Sequence, residues 1–151
     1  MKLKPFVTSD RIVIGLKQGT RREILEQLIA PIEDSNCIND SELFLDDLEK
    51  REDQVTTVMD NGVAFPHARS TAIDRMCLVV GVAEKDIHFN TSDKIDSRLF
   101  FCIGVPARSP TAHMPILQSL ANYVKDEKRR DRLIACTLPS QLVKYLANYK
   151  G

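Results

Sequence analysis

Charge of one sign is what this chain lacks most plainly. Lys plus Arg and Asp plus Glu each number 21, so the formal net charge is zero at neutral pH. That balance removes the basic footprint of a nucleic-acid-binding domain. The short cationic clusters Arg21–Arg22 and Lys128–Arg129–Arg130 read as solvated helix faces. Long hydrophobic runs are missing too: the longest apolar stretches, Met76–Ala83 and Leu99–Val105, are far too short to span a bilayer as helices. The start, Met1-Lys2-Leu3-Lys4-Pro5, lacks the apolar run of a secretion signal. Cytoplasmic residence without membrane insertion is the expectation. Cys37, Cys77, Cys102 and Cys136 show no CxxC or other metal spacing. Cys77 and Cys102 sit in apolar runs, where a reduced thiol is a small hydrophobe, and a disulfide scaffold is not expected. GxGxxG, Walker A, GxSxG and HExxH motifs are all absent. The three histidines, His67, His88 and His113, do not have metal-ligand spacing, so no metal and no cofactor is expected.

What is present reads as a single domain over 1–151, in mixed α/β order. Arg11–Leu16 is a β-branched run closed by Lys17-Gln18-Gly19, a strand and a turn. Thr20 followed three residues later by Glu23 is a capping-box signature. Ile24, Leu25, Leu28 and Ile29 then keep helical spacing up to Pro31. After a polar loop over Glu33–Asn39, Asn39 or Asp40 caps a second helix through Leu43, Phe44, Leu45 and Leu48 to about Arg51. Asp53–Arg69 reads as irregular, with a short extended piece at Val63-Ala64-Phe65, because the residue before Pro66 is pushed out of helix. Met76–Ala83 and Leu99–Val105 read as buried strands, with Ile87-His88-Phe89 a short extended piece between them. Helices are expected over about Ala112–Lys125, with Leu117, Leu120, Ala121 and Val124 as its apolar face, and over Asp126–Ala135 and Ser140–Tyr149. About four strands and about five helices predict an α/β fold, a mixed β-sheet flanked by helices on both faces.

The chemistry of the chain rests on few side chains. His67 follows Pro66, which fixes the backbone just before the imidazole. Neutral imidazole is a good nucleophile near neutral pH, and Arg69 lies close enough in sequence to pair with an anion. Taken locally, the same pattern also fits a loop histidine that only packs. Pro115 must sit in the first turn of its helix, which puts His113 at a helix N-terminus, where free amides and the dipole suit a phosphate and keep an imidazole neutral. His113 also fits as the top of the apolar face. His88 alternates with Ile87 and Phe89 and faces solvent. Arg51 ends the second helix and, locally, is a solvated charge. Thr56-Thr57 fits either a turn or a hydroxyl donor to an anion.

Read together, Arg51-Glu52, Thr56-Thr57, Gly62-Val63-Ala64-Phe65-Pro66-His67 and His113-Met114-Pro115-Ile116-Leu117 resemble the enzyme IIA domain of the bacterial phosphotransferase system, fructose/mannitol/nitrogen-regulatory type. The resemblance runs from about Thr20 to the C-terminus, and the Pro-His element is its most specific part. It implies that His67 accepts and donates a phosphoryl group. It further implies that His113 beside it holds the phosphoryl oxygens, that Arg51 supplies positive charge, and that Thr57 has a weaker supporting role. Asp93 follows the Phe-Asn stretch and is given no function. Phosphoryl transfer asks mainly for position and charge, which these groups meet without a metal. Phe65 stands where Ile is commoner, Val58-Met59-Asp60 where a Gly-containing stretch is frequent, and Arg21-Arg22-Glu23 for a Lys-Glu-Glu pattern. None of these departures removes a residue the mechanism needs.

The partners implied are an HPr-type phosphocarrier as donor and, downstream, an enzyme IIB domain or regulated target proteins. Phe65, Met59 and Met114 are candidates for the docking surface and equally for the core. The absence of an attached IIB or membrane segment tilts the expected output toward nitrogen-regulatory signalling, with a sugar-specific carrier as the alternative. A protein-interaction module that keeps the fold without phosphorylation is the reading from a different class. Which imidazole nitrogen carries the group is left open by the sequence.

Overall fold

The computed structural model describes residues 2–150; Met1 and Gly151, the ends of the expected 1–151 domain, lie outside the described residues. Five strands form one mixed sheet: β1 (Ile12–Leu16), β2 (Val63–Ala64), β3 (His67–Ser70), β4 (Cys77–Ile87) and β5 (Ser97–Pro106). The order is β1-β4-β5-β2, with β3 also on β5. β4 and β5 pair antiparallel, whereas β1 runs parallel to β4, and β2 and β3 run parallel to β5. Helices α1 (Arg21–Ile29) and α2 (Ser41–Gln54) precede β2, and α3 (Met114–Tyr123), α4 (Glu127–Ile134) and α5 (Pro139–Ala147) follow β5.

Period-two alternation along β4 and β5 divides the core. Cys77, Val79, Ala83, Phe100 and Cys102 pack with the apolar residues of α1 and α2. Leu78, Val80, Val82, Leu99, Phe101, Ile103 and Val105 point the other way, onto Ile116, Leu120, Leu133, Leu142 and Leu146 of α3, α4 and α5. The expected sheet with helices on both faces is what the chain forms. All four cysteines are free and buried. Gly81 marks a close approach: a Cβ there would lie 2.6 Å from Leu28 Cδ2, so α1 sits against bare backbone.

The capping box at Thr20 is present, its hydroxyl accepting from Glu23 N–H while the Glu23 carboxylate accepts from Thr20 N–H. Asp40, not Asn39, caps α2, which continues three residues past Arg51 to Gln54. Its last turn is polar, so hydrophobic periodicity gave no signal there. β4 reaches Ile87, absorbing a residue read as part of a separate piece, because Ser97 pairs with Ile87 across a register shift.

The chief correction concerns Asp53–Arg69, which is not irregular throughout: His67–Ser70 is a strand. β2 and β3 lie on one line along β5, with Ala64 opposite Phe100 and His67 opposite Ile103, so no register is lost between them. The line breaks at Phe65–Pro66, where proline has no N–H to give the ladder. The Pro66 carbonyl still accepts from Ile103 N–H at 2.9 Å. α3 starts at Met114 rather than Ala112, and Ile116 and Tyr123, not Leu117 and Ala121, complete its buried face with Leu120. Leu117 and Ala121 are half-buried, turned toward His67.

Candidate functional site

The break at Pro66 places the first side chain of β3, His67, at the edge of the sheet. Its Nδ1 lies 2.7 Å from the Phe65 carbonyl, an acceptor only, so Nδ1 carries the proton. Nε2 keeps the lone pair. Burial pushes the His67 pKa below the ordinary value of 6.5; the Phe65 carbonyl opposes that shift, Arg51 adds to it, Glu52 opposes it and Arg69 adds again. The ring is therefore neutral at physiological pH, with a free nitrogen.

His113 faces it, the ring centroids 5.3 Å apart and the planes tilted by 35°. It occupies the N-cap position of α3 with Pro115 in the first turn, as the spacing requires. The residue is only 6% exposed, and its Nδ1 has no hydrogen-bond partner. That nitrogen is a buried polar atom left unsatisfied in either tautomer. Burial lowers its pKa too, followed by His67 and Arg69, keeping the ring uncharged.

Arg51 lies in the last turn of α2, where its Nη1 donates to the Val55 carbonyl at 3.0 Å. Two cavities meet at Arg51 and His67. One, about 310 Å³, is walled by Thr57, Met59, Phe65, Leu117 and Ala121. The other, about 250 Å³, is lined by Arg69, Thr111, His113 and Met114. One wall is thus apolar, while the other offers two guanidinium groups and a helix N-terminus. Among the described residues no group of three or more His, Cys, Asp or Glu could hold a metal ion.

Arg51, His67 and His113 thus come together. Thr57 lines the same space but is buried, and its hydroxyl and N–H both donate to the Glu52 carboxylate, the N–H at 3.1 Å. Phe65 is core, 5% exposed and stacked on Phe101 at 5.5 Å. Met59 and Met114 are surface, 50% and 53% exposed. His88 is partly exposed and meets Asp96.

Sequence reasoning passed over Glu52, a carboxylate only 4% exposed. It also accepts from Asn90 Nδ2 at 3.0 Å, and Asn90 in turn accepts from Arg21 Nη1 at 3.0 Å. The signal available was its place beside Arg51: neighbours on a helix diverge by about 100°, so one facing the site leaves the other facing inward. Arg21, read as a solvated charge, is held by Glu49 and Asp53 as well.

A family model described as phosphoenolpyruvate-dependent sugar phosphotransferase system, EIIA 2, matches residues 5–149. The fructose-specific EIIA component of the phosphotransferase system of Haloferax volcanii is 29% identical over 116 residues, 77% of this chain and 75% of that protein. Among solved structures, the nitrogen regulatory protein IIA-Ntr of Neisseria meningitidis superposes with a TM-score of 0.83 at 19% identity, over 95% of this chain and 98% of that one. The enzyme IIA of mannitol from Escherichia coli, solved in complex with its phosphorylated enzyme IIB, gives a TM-score of 0.80 at 18% identity, over 95% and 98%. No helix among the described residues is long and apolar enough to cross a membrane.

Proposed function

The chain belongs to the EIIA 2 family of the phosphoenolpyruvate-dependent sugar phosphotransferase system, and on that footing we propose that His67 is its phosphoryl acceptor, through Nε2. The observation carrying this reading is the Nδ1–H bond to the Phe65 carbonyl, which leaves the other nitrogen unprotonated and turned from the backbone. Nε2 attacks the phosphorus of a phosphohistidine on an HPr-type donor in line. An N–P bond forms on His67 as the donor's breaks, and the donor imidazole, whose other nitrogen already carries a proton, keeps the electron pair and leaves as a neutral ring. The Nδ1–H stays on His67, and its bond to Phe65 steadies the ring as it becomes cationic. Arg51 and the His113 Nε2–H balance the charge that spreads over the phosphoryl oxygens. Thr57 supports the site by its place in the wall rather than as a free donor. Met59 and Met114 form an apolar rim on which donor and acceptor proteins dock in turn.

The output we propose is regulatory: a dianionic group set between Met59 and Met114 changes which proteins that rim binds. A sugar-specific relay to an enzyme IIB domain is the second reading, favoured by the 29% identity to a fructose-specific component. Incubation with phosphoenolpyruvate, enzyme I and HPr, wild type beside His67→Ala, tests the common core. An acid-labile, base-stable label on wild type alone supports it. No label on folded wild type with charged HPr overturns it and favours a phosphorylation-independent binding module. Onward transfer to an isolated IIB domain separates the two outputs.

A further inference from the structure

Glu52 is the buried charged group that the transfer reaction does not use. It sits one residue from Arg51, is 4% exposed, and accepts from Thr57 N–H, Thr57 Oγ1–H and Asn90 Nδ2–H, all uncharged donors. An apolar side chain of the same size would avoid the cost of burying a carboxylate. What the carboxylate does that an apolar residue cannot is hold those three donors.

The bonds continue in both directions. Outward, Asn90 is fixed by Arg21 at 3.0 Å, and Arg21 is clamped by Glu49 and Asp53. Asn90 Nδ2 also reaches Thr56 Oγ1 and Asp93 Oδ2, each at 3.0 Å. Inward, the Thr57 carbonyl accepts from Phe65 N–H at 3.3 Å, and the Phe65 carbonyl accepts from His67 Nδ1–H at 2.7 Å. An unbroken path therefore runs from Arg21 through Asn90, Glu52, Thr57 and Phe65 to the imidazole. The Phe65–Pro66 peptide has no N–H, so its carbonyl lacks that anchor, while the neighbouring Phe65 N–H ties the same residue to the Thr57 carbonyl.

We propose that Glu52, held by Asn90 and Arg21, is a positioning residue that fixes the Phe65 carbonyl and thereby the tautomer of His67, keeping Nε2 unprotonated for phosphoryl transfer. The proposal rests on the phosphocarrier reading for its purpose but not for its geometry.

The test is long-range proton–nitrogen NMR of the His67 ring in unphosphorylated protein, with transfer rates from charged HPr measured alongside. Glu52→Gln retains an acceptor for Thr57 N–H and Asn90, and its amide can donate to the Thr57 hydroxyl. It should keep the wild-type ring pattern. Glu52→Met removes every acceptor and should shift the tautomer ratio toward Nε2–H by about fivefold, the weight of one neutral hydrogen bond, with a matching fall in transfer rate. Asn90→Ala loosens the same carboxylate from the far side and should move the ring nitrogens in the same direction. It decides the matter if Glu52→Met is too unstable to record. A folded Glu52→Met with the wild-type ring pattern overturns the proposal, as does an unchanged pattern in Asn90→Ala. So does a Glu52→Gln as disturbed as Glu52→Met, which would make charge the cause. Because the ring spectrum needs no phosphoryl group, a wild type that accepts none overturns the phosphocarrier reading separately.

Discussion

Replacing His113 by leucine should move stability and activity in opposite directions. The wild-type ring is 6% exposed and its Nδ1 has no partner. An unsatisfied buried polar atom costs about 1–3 kcal/mol. Leucine removes that atom and fills much of the ring's volume, at the loss of the ring contact with His67. The net expectation is a gain of about 1 kcal/mol, or roughly 2–4 °C in Tm at this chain length. Transfer loses one donor to the developing phosphoryl charge, worth about 2 kcal/mol for a charge-assisted bond, hence roughly thirtyfold in rate. Differential scanning calorimetry and single-turnover transfer from charged HPr read the two effects. His113→Gln, whose amide nitrogen lies near the position of Nε2, should recover most of the rate; His113→Asn, which reaches only as far as Nδ1, should not. A leucine variant that melts well below wild type, or transfers at the wild-type rate, would refute the assignment of the orphaned nitrogen to Nδ1 and of the donor to Nε2.

The pH profile of phosphoryl acceptance should stay flat from about pH 8 to below the ordinary imidazole value, because burial and then Arg51 and Arg69 hold His67 under 6.5. A midpoint above 6.5 would contradict that. The same depression has a stability sign: the unfolded ring binds protons more readily, so its contribution is full above 6.5 and is lost as pH falls through the folded value, which urea midpoints below neutrality would register. Gly81→Ala drives a methyl to 2.6 Å from Leu28 Cδ2 and should destabilise by about 1–3 kcal/mol in urea titration, without altering the His67 ring spectrum. Thr20→Ala opens the α1 capping box and should cost about 1 kcal/mol by the same measurement.

The layered fold was legible because the strands are period-two and apolar and the helices carry stop signals. Thr20 with Glu23, Pro115 and the runs at Cys77 and Leu99 each act through neighbours a few residues away. The misplacements share the opposite property. α2 overran Arg51 because its last turn buries only Glu52, and a buried carboxylate looks like a solvated one in sequence. β3 is hard to read in sequence because it is four residues long and polar Ser70 takes a buried position, and pairing with β5 outweighs that. Phe65 fits either core or docking surface in sequence, since only the fold says that Phe101 stacks beneath it.

The site divides along the same line, and the division bears on mechanism. His67 and His113 announced themselves through Pro66 and Pro115, residues that restrict backbone whatever surrounds them. Glu52, Asn90 and Arg21 come from α2, the segment after β4 and the start of α1, and nothing in any one stretch marks them as partners. Yet proline explains only where His67 is placed. It does not orient the Phe65 carbonyl; indeed, by removing an N–H it withdraws one of the bonds that would have done so. The tertiary network acts on the peptide before it, through the Phe65 N–H held by the Thr57 carbonyl. Local sequence therefore puts His67 at the sheet edge, and in the proposed mechanism long-range hydrogen bonding selects which of its nitrogens attacks the phosphorus.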